Sequence, residues 1–257
     1  MMPRSILACV FLFIACGAHA DTLTLAPVAD ATLFQPSGGN PETADSQGPH
    51  LFVGRIAQGL RRRALLRFDL TALPAGAVID DARLELTVSR TISGSVVVNL
   101  HRIVAPWREG SANSGTPGGQ GTAPGSDDPT WSQRAFPATP WTSLGGDYAA
   151  APSASVTLDG EIRYTVPATA AMQADLASWQ NDDASNFGWA LVSDESQTPP
   201  TAKRLESGEA LDPATRPLLV IDYHLAPRVP VPALSGFAAV LLMLGMWAAT
   251  RWTAARR

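Results

Sequence analysis

The sequence predicts an all-β protein, a β-sandwich with one short helix, which carries a signal peptide before it and a transmembrane helix after it. Apolar and polar residues alternate in several segments, and glycine and proline number 21 each among 257 residues, which together indicate short strands joined by turns. Charged residues make up only 16%, a composition that disfavours a helical bundle or a coiled coil.

The first 20 residues have the layout of a secretory signal peptide. Arg4 precedes an apolar run over 5–15 that is too short for a permanent membrane span, and Ala18, His19 and Ala20 place small residues at the cleavage site. We expect the Sec export machinery to translocate the chain and cleavage to follow Ala20, which leaves Asp21 first. Cys16 keeps lipidation open as the alternative.

Cysteine is confined to this leader. Cys9 and Cys16 are the only two cysteines in the chain, so the mature protein would have none. That excludes disulfides, thiolate catalysis and cysteine-ligated metals.

Nine segments of the ectodomain are predicted to be strands. Alternation is clearest over 63–70, where Ala64, Leu66 and Phe68 share one face, and it returns over 82–88. A period of two residues is typical of strands with one buried face. The other predicted strands are 22–26, 51–54, 96–104, 153–158, 189–192, 202–206 and 218–224.

One helix is predicted over 168–180. Met172, Leu176 and Trp179 recur at helical spacing and form one apolar stripe. The stripe favours packing against the core, and a ligand-binding ridge is the alternative. Because no internal repeat is present, we predict a single domain over 21–228.

A long loop lies between two tryptophans. Residues 109–128 are mostly Gly, Ser, Thr, Pro and Ala, and long loops of this kind are often functional. Trp107, Trp131 and Trp141 flank it and are the candidate ligand-binding residues, since indole faces can stack on sugar rings. The alternative is that they fasten the loop to the sandwich. Further on, Gly188 is predicted to supply a positive φ in a turn before a strand.

The C-terminal segment 229–249 is 21 residues without a charge. At about 1.5 Å per residue it reaches roughly 30 Å, the thickness of a bilayer's hydrocarbon core. Arg251, Trp252, Arg256 and Arg257 follow and place the C-terminus on the cytoplasmic side. We therefore predict that 229–250 spans the inner membrane. A buried C-terminal helix is disfavoured because the segment has no polar face.

The proline-rich stretch before this span consists of Pro230, Val231, Pro232, Ala233, Leu234 and Ser235. With the apolar span and the arginine cluster, it resembles the tripartite C-terminal sorting signals of Gram-negative bacteria that exosortases recognise. It is similar to the IPTL-CTERM type and less so to the PEP-CTERM type, because Val231 stands where the latter has Glu. The resemblance implies that an exosortase-type enzyme cleaves the segment 229–257 during surface sorting. A plain membrane anchor is the alternative.

An ordered set of short motifs runs across nearly the whole ectodomain, at 63–70, 73–79, 82–86, 107–110, 130–131, 141–147, 186–191 and 216–220. This set resembles the DNRLRE family of secreted bacterial and archaeal domains, named after disaggregatase-related repeats. The resemblance implies a jelly-roll-like β-sandwich of the kind found beside polysaccharide-degrading enzymes. Some members of that family bind carbohydrate, and calcium often stabilises such sandwiches. Unlike in that setting, we expect no catalytic domain beside the module in this sequence.

No catalytic residue is predicted. His50, His101 and His224 are the histidines after the leader, and none lies at a recognisable metal spacing. Neither a Gly-x-Ser-x-Gly elbow nor a glycine-rich phosphate loop occurs.

Three pairs of adjacent acids fall in predicted loops. Such pairs cap turns or bind a hard cation through oxygen ligands, so structural calcium is the one cofactor that the sequence leaves open. The candidate metal ligands are Asp127, Asp128, Asp182, Asp183, Asp194 and Glu195.

The net charge of the ectodomain excludes simple electrostatic capture of polyanions. Segment 21–228 holds 15 basic residues against 23 acidic ones, a net charge of −8, so no nucleic-acid partner is expected. The sequence therefore predicts a non-catalytic exported protein of the cell surface or extracellular matrix, anchored in the membrane at least transiently, with polysaccharide as its candidate ligand. The alternative is a polysaccharide-degrading enzyme, a lyase or a glycosidase, that uses the loop carboxylates.

Overall fold

The computed structural model describes residues 20–226. The predicted signal peptide, apart from Ala20, and the predicted transmembrane and sorting segment 229–257 lie outside the described residues. No helix within 20–226 is long and apolar enough to cross a membrane.

Fourteen strands are present in the described part, and all of their pairings are antiparallel. In chain order they are β1 (Ala20–Leu25), β2 (Pro27–Phe34), β3 (Ala44–Asp45), β4 (His50–Arg55), β5 (Arg61–Phe68), β6 (Ala77–Thr91), β7 (Val96–Arg102), β8 (Gln133–Ala135), β9 (Thr139–Pro140), β10 (Ala154–Leu158), β11 (Arg163–Pro167), β12 (Trp189–Ser193), β13 (Lys203–Glu206) and β14 (Leu218–Leu225).

Twelve of these strands form one large sheet. Its order is β1-β14-β6-β13-β4-β5-β12-β7-β10, with β11 beside β6 and with β2 joined to β3 and β5. The 15-residue β6 pairs with β14, β11 and β13, and the register shifts where β14 and β13 meet it. Such irregularities bend a strand, and β6 is the strand through which β1, β14 and β11 join β13 and the rest of the sheet. The fold is all-β and resembles a sandwich.

The one α-helix, α1, runs over Ala170–Asn181, close to the predicted 168–180. Thr169 caps its N-terminus, because its hydroxyl accepts a hydrogen bond from the Met172 backbone N–H. Met172, Leu176 and Trp179 are buried in the main core. The apolar stripe of the helix therefore packs against the core, as the sequence favoured. Two short 3₁₀ turns occupy Asp183–Ser185 and Pro213–Thr215.

Apolar side chains pack in two clusters on opposite faces of β5 and β12. The larger one takes Leu66 and Leu191 together with side chains of β4, β6, β7, β13, β14 and α1. The smaller one takes Leu65 and Ala190 together with β2 and the three tryptophans. Alternation had predicted one buried face for the strand at 63–70, and that was wrong, because the long loop covers the second face.

The predicted turn before β12 is confirmed. Gly188 has φ +77°, and a Cβ at this position would lie 2.0 Å from the Leu66 carbonyl oxygen. Only glycine fits, since both the left-handed backbone and the close approach of β5 exclude a side chain.

Candidate functional site

An open groove of about 850 Å³ lies where five strands and three loops meet. We call it the basic groove. Its walls come from the ends or middle of β2, β4, β5, β6 and β13, and from loop residues within 35–43, 56–60 and 117–120. The pairing of β5 with β2 and β4, and of β13 with β4 and β6, brings these strands together.

The charges of the basic groove all have one sign. Arg62, Arg90, Lys203 and Arg204 line it, and no carboxylate of residues 20–226 does. None of these four cations has a carboxylate oxygen within 4.0 Å in residues 20–226. In a protein with more acids than bases, this concentrates positive potential at one place.

Arg62 differs from the other three cations, because it is only 6% exposed, has no counter-ion among residues 20–226 and leaves a buried guanidinium nitrogen without an acceptor there. Its Nη1 donates to the carbonyls of Gln35 and Arg61, whereas the buried Nε has no acceptor in the described part of the chain. The guanidinium carbon lies 4.9 Å from the centre of the Phe34 ring. Burial lowers the pKa of Arg62 to about 10, so the group stays cationic at neutral pH.

Lys203 is buried at 1% exposure and is held in a different way. Its ammonium donates to the Thr91 hydroxyl, the Ser93 hydroxyl and carbonyl, and the Gly94 carbonyl, at 2.5 to 3.2 Å. Burial lowers the pKa of Lys203. Neutral oxygens accept from all of its N–H groups, so Lys203 joins the β6–β7 turn to β13. It adds positive charge to the groove, but none of its N–H groups is left to bind a ligand.

Aromatic and polar side chains complete the groove. The rings of Phe34 and Phe52 lie 6.2 Å apart and are tilted by 49°. Amides and hydroxyls stand around them, supplied by Gln35, Ser37, Asn40, Thr43, Gln58 and Gln120. Apolar surface with a few convergent polar groups is the usual make-up of a ligand-binding site.

A second feature is a cluster of three carboxylates. One oxygen each of Asp30, Glu109 and Glu209 lies within 4.8 Å of the others. Glu109 accepts from the Asp30 backbone N–H and Asp30 accepts from the Gly208 N–H, both at 2.6 Å. The cluster therefore connects β2, the start of the long loop and the turn after β13.

Burial and mutual repulsion disfavour the charged forms in this cluster. Asp30 is 2% exposed, and burial, followed by the charge of Glu209, raises its pKa well above the ordinary value. Burial raises the pKa of Glu109 to about 7 and also raises that of Glu209. Carboxylate oxygens are ligands for hard cations, and the buried Glu209 Oε2 has no hydrogen-bond donor within residues 20–226. This donor set would fit calcium.

The three predicted tryptophans lie together in the smaller core cluster. Trp107 is 2% exposed and Trp131 and Trp141 are 5% exposed. The indole N–H groups of Trp107 and Trp141 donate to the Phe187 and Thr130 carbonyls. Protein atoms cover the indole faces, which is the arrangement expected if these residues fasten the long loop. A sugar ring could stack on them only after that loop moved away.

The six predicted acids lie apart, in three different surroundings. Asp128 is fully buried and accepts from the backbone of Ala112 and Gly125 and from the Ser46 hydroxyl, while the adjacent Asp127 lies 3.7 Å from an arginine. Asp182 ends α1 and Asp183 begins a 3₁₀ turn. Asp194 caps its own turn through Ser196, and Glu195 pairs with Arg61 and Arg63.

Sequence patterns did not single out the groove or the carboxylate cluster. Asp30 is separated from Glu109 by 79 positions and from Gly208 by 178, so only strand pairing brings them together. The one sequence signal at the groove is the run Arg61 to Arg63, the only three consecutive basic residues in the sequence. Such a run favours a solvated strand entrance, and a site for an anionic polymer is the alternative.

Comparisons with known proteins leave the site to be interpreted from its own geometry. No family model matches the sequence, and no curated protein matches it either.

Proposed function

We propose that this chain is a non-catalytic, exported surface or extracellular-matrix protein that binds polysaccharide in the basic groove. The observation that carries the proposal is the groove itself, where aromatic rings, amides and hydroxyls converge without a catalytic acid. A polysaccharide offers hydroxyls for the polar groups and an apolar ring face for the half-buried Phe52, whereas Phe34 is 1% exposed and packs against Phe52 and Arg62. The resemblance to the DNRLRE family, with its jelly-roll-like sandwich, points the same way.

Export and sorting belong to the same proposal. The leader ending at Ala20 would direct the chain to the Sec machinery, and the span 229–250 would hold it in the inner membrane. An exosortase-type enzyme would then act at the motif 230–235. The protein would finish at the cell surface or outside the cell, where polysaccharide is available.

The alternative, a polysaccharide-degrading enzyme, has less support. Glycosidases need two acids on either side of the scissile bond, and the groove lining has no carboxylate. Asp30, Glu109 and Glu209 do converge, but none of them lines the groove.

Structural calcium is proposed only at that carboxylate cluster. Asp30, Glu109 and Glu209 would each supply oxygen, and the further ligands that calcium needs would come from backbone carbonyls or water. The ion would tie β2 to the long loop and to the turn after β13, and would replace the protons that the cluster otherwise retains.

A glycan array tests the proposed function. The full chain, purified in mild detergent with and without a chelator, should bind at least one class of polysaccharide. Arg90→Ser should weaken the binding, since Arg90 lies in the groove, is exposed and makes no ion pair. Arg108→Ser is the matched control, because this arginine is 76% exposed and lies outside the groove. Failure to bind any glycan would overturn the proposal.

A further inference from the structure

We propose that the ligand of the basic groove is an acidic polysaccharide, one whose sugar units carry carboxylates, and that Arg62 binds one of those carboxylates. The inference rests on the proposed function and specifies the chemistry of its ligand.

The first observation is the charge of the groove lining. Four cations and no acids face this space, although the described part of the chain has an excess of acids. A neutral glycan needs no such separation of charges, because hydroxyls are bound equally well by amides and carboxylates. An anionic polymer does need it, since a single carboxylate in the lining would repel it.

The second observation is the state of Arg62. A buried charge costs free energy unless it is paired, and Arg62 is 6% exposed without an acidic partner. The other arginine of this strand with similar burial, Arg63, has Glu195 at 2.8 Å. Nε is enclosed by the protein, but Nη2 makes no hydrogen bond within residues 20–226 and is not fully buried, so it is the donor suited to a carboxylate that enters the groove.

The surroundings hold Arg62 ready for such a ligand. Two backbone carbonyls fix Nη1, and the ring of Phe34 lies below the guanidinium carbon at 4.9 Å. Because the group is already ordered, less side-chain entropy is lost when the ligand binds. Arg90 and Arg204 add charge on the opposite strands of the groove.

Size and lining favour a polysaccharide over a small anion. The groove holds about 850 Å³, far more than a single phosphate or sulfate fills. Gln35, Asn40 and Gln120 would bind hydroxyls, which a sugar polymer has at every unit.

Binding of polygalacturonate oligomers by isothermal titration calorimetry, compared with the same oligomers fully methyl-esterified, tests the inference. The ester keeps the sugar and removes the charge. The full chain should bind the acid form at least roughly tenfold more tightly, as expected for the loss of a charged hydrogen bond. Equal affinity for the two forms, or binding of neutral glycans alone, would overturn the inference and leave the proposed function standing. Binding of no glycan would overturn both.

Variants of the groove arginines test whether the preference for the acid form arises in the basic groove. Arg62→Gln should lose roughly tenfold or more in affinity for the acid form and little for the ester. Arg62→Gln orphans no acid, but it takes a donor from the Gln35 and Arg61 carbonyls, so its thermal midpoint is measured alongside its affinity. Arg90→Gln is a second, exposed test that cannot disturb the core, and Arg108→Gln is its control. Unchanged acid-form affinity in both groove variants would overturn the inference.

Discussion

Folding moves the Asp30 carboxyl out of water and next to Glu109 and Glu209. Burial raises the pKa of all three groups, that of Glu109 to about 7. A carboxyl with a raised pKa holds its proton more tightly in the folded chain than in the unfolded one. Its contribution to stability is fully present below the unfolded pKa of roughly 4 and is lost as the pH rises through the folded value.

Without divalent cations, the free energy of unfolding should therefore fall between pH 5 and pH 8. Asp30→Asn should flatten this dependence and should stabilise the protein at pH 8 by about 1 kcal/mol, since the amide cannot ionise. Urea unfolding followed by tryptophan fluorescence measures both. Asp183→Asn, at an exposed acid in a 3₁₀ turn, should leave the slope unchanged. Greater stability at pH 8 than at pH 5 would contradict this account of the cluster.

Gly188 offers a second test at the residue scale. Gly188→Ala should destabilise by about 3 kcal/mol or more, because the methyl group would meet the Leu66 carbonyl and the backbone has φ +77°. Gly76→Ala is the matched control, with φ +79° and no atom within 4 Å of the new Cβ. It bears only the backbone cost, about 1 kcal/mol. Equal losses in thermal unfolding would mean that β5 does not approach so closely.

At the scale of elements, the long loop is held by its tryptophans and by buried acids. Trp107, Trp131 and Trp141 pack on β2 and β5. Asp45 accepts from the Ser114 N–H, and Glu42 accepts from Thr130 and Ser132. A segment without strand or helix periodicity is thus ordered by side-chain acceptors that replace the missing ladder partners.

Trp107→Ala should cost about 3 kcal/mol or more, because it opens a cavity and leaves the Phe187 carbonyl without its indole donor. Hydrogen exchange over 109–128 should accelerate. Leu144→Ala changes a side chain outside the loop, shortly after Trp141, that is 67% exposed and should have little effect. Unchanged stability together with lost glycan binding would instead favour the sugar-stacking role of the tryptophans.

The elements were more predictable than the site. All nine predicted strands are present within a few residues of their expected bounds, because alternation follows directly from which face is buried. Five strands escaped prediction: β2, β3, β8, β9 and β11. Three of them have only two or three residues, and in β2 the buried Asp30 interrupts the apolar pattern. The residues around Arg62 and around the carboxylate cluster come from segments far apart in sequence. Local sequence patterns do not reveal which distant segments pair.

For the whole molecule, the proposed function combines a polysaccharide-binding domain with a C-terminal membrane segment that is removed during sorting. If the C-terminal signal works as proposed, mass spectrometry of the protein recovered from the cell surface should find a C-terminus near 232–235. Recovery of a chain that still ends at Arg257 would mean a permanent anchor. This outcome is independent of what the groove binds.

The most direct test of the central claim, that an acidic polysaccharide binds in the basic groove, is protection from chemical modification. The full chain would be treated with phenylglyoxal, with and without polygalacturonate oligomers, and modification of each arginine would be measured by mass spectrometry. The account predicts that the ligand protects Arg90 and Arg204 but not Arg108. Equal modification of all three with and without ligand, or protection of Arg108 alone, would contradict it.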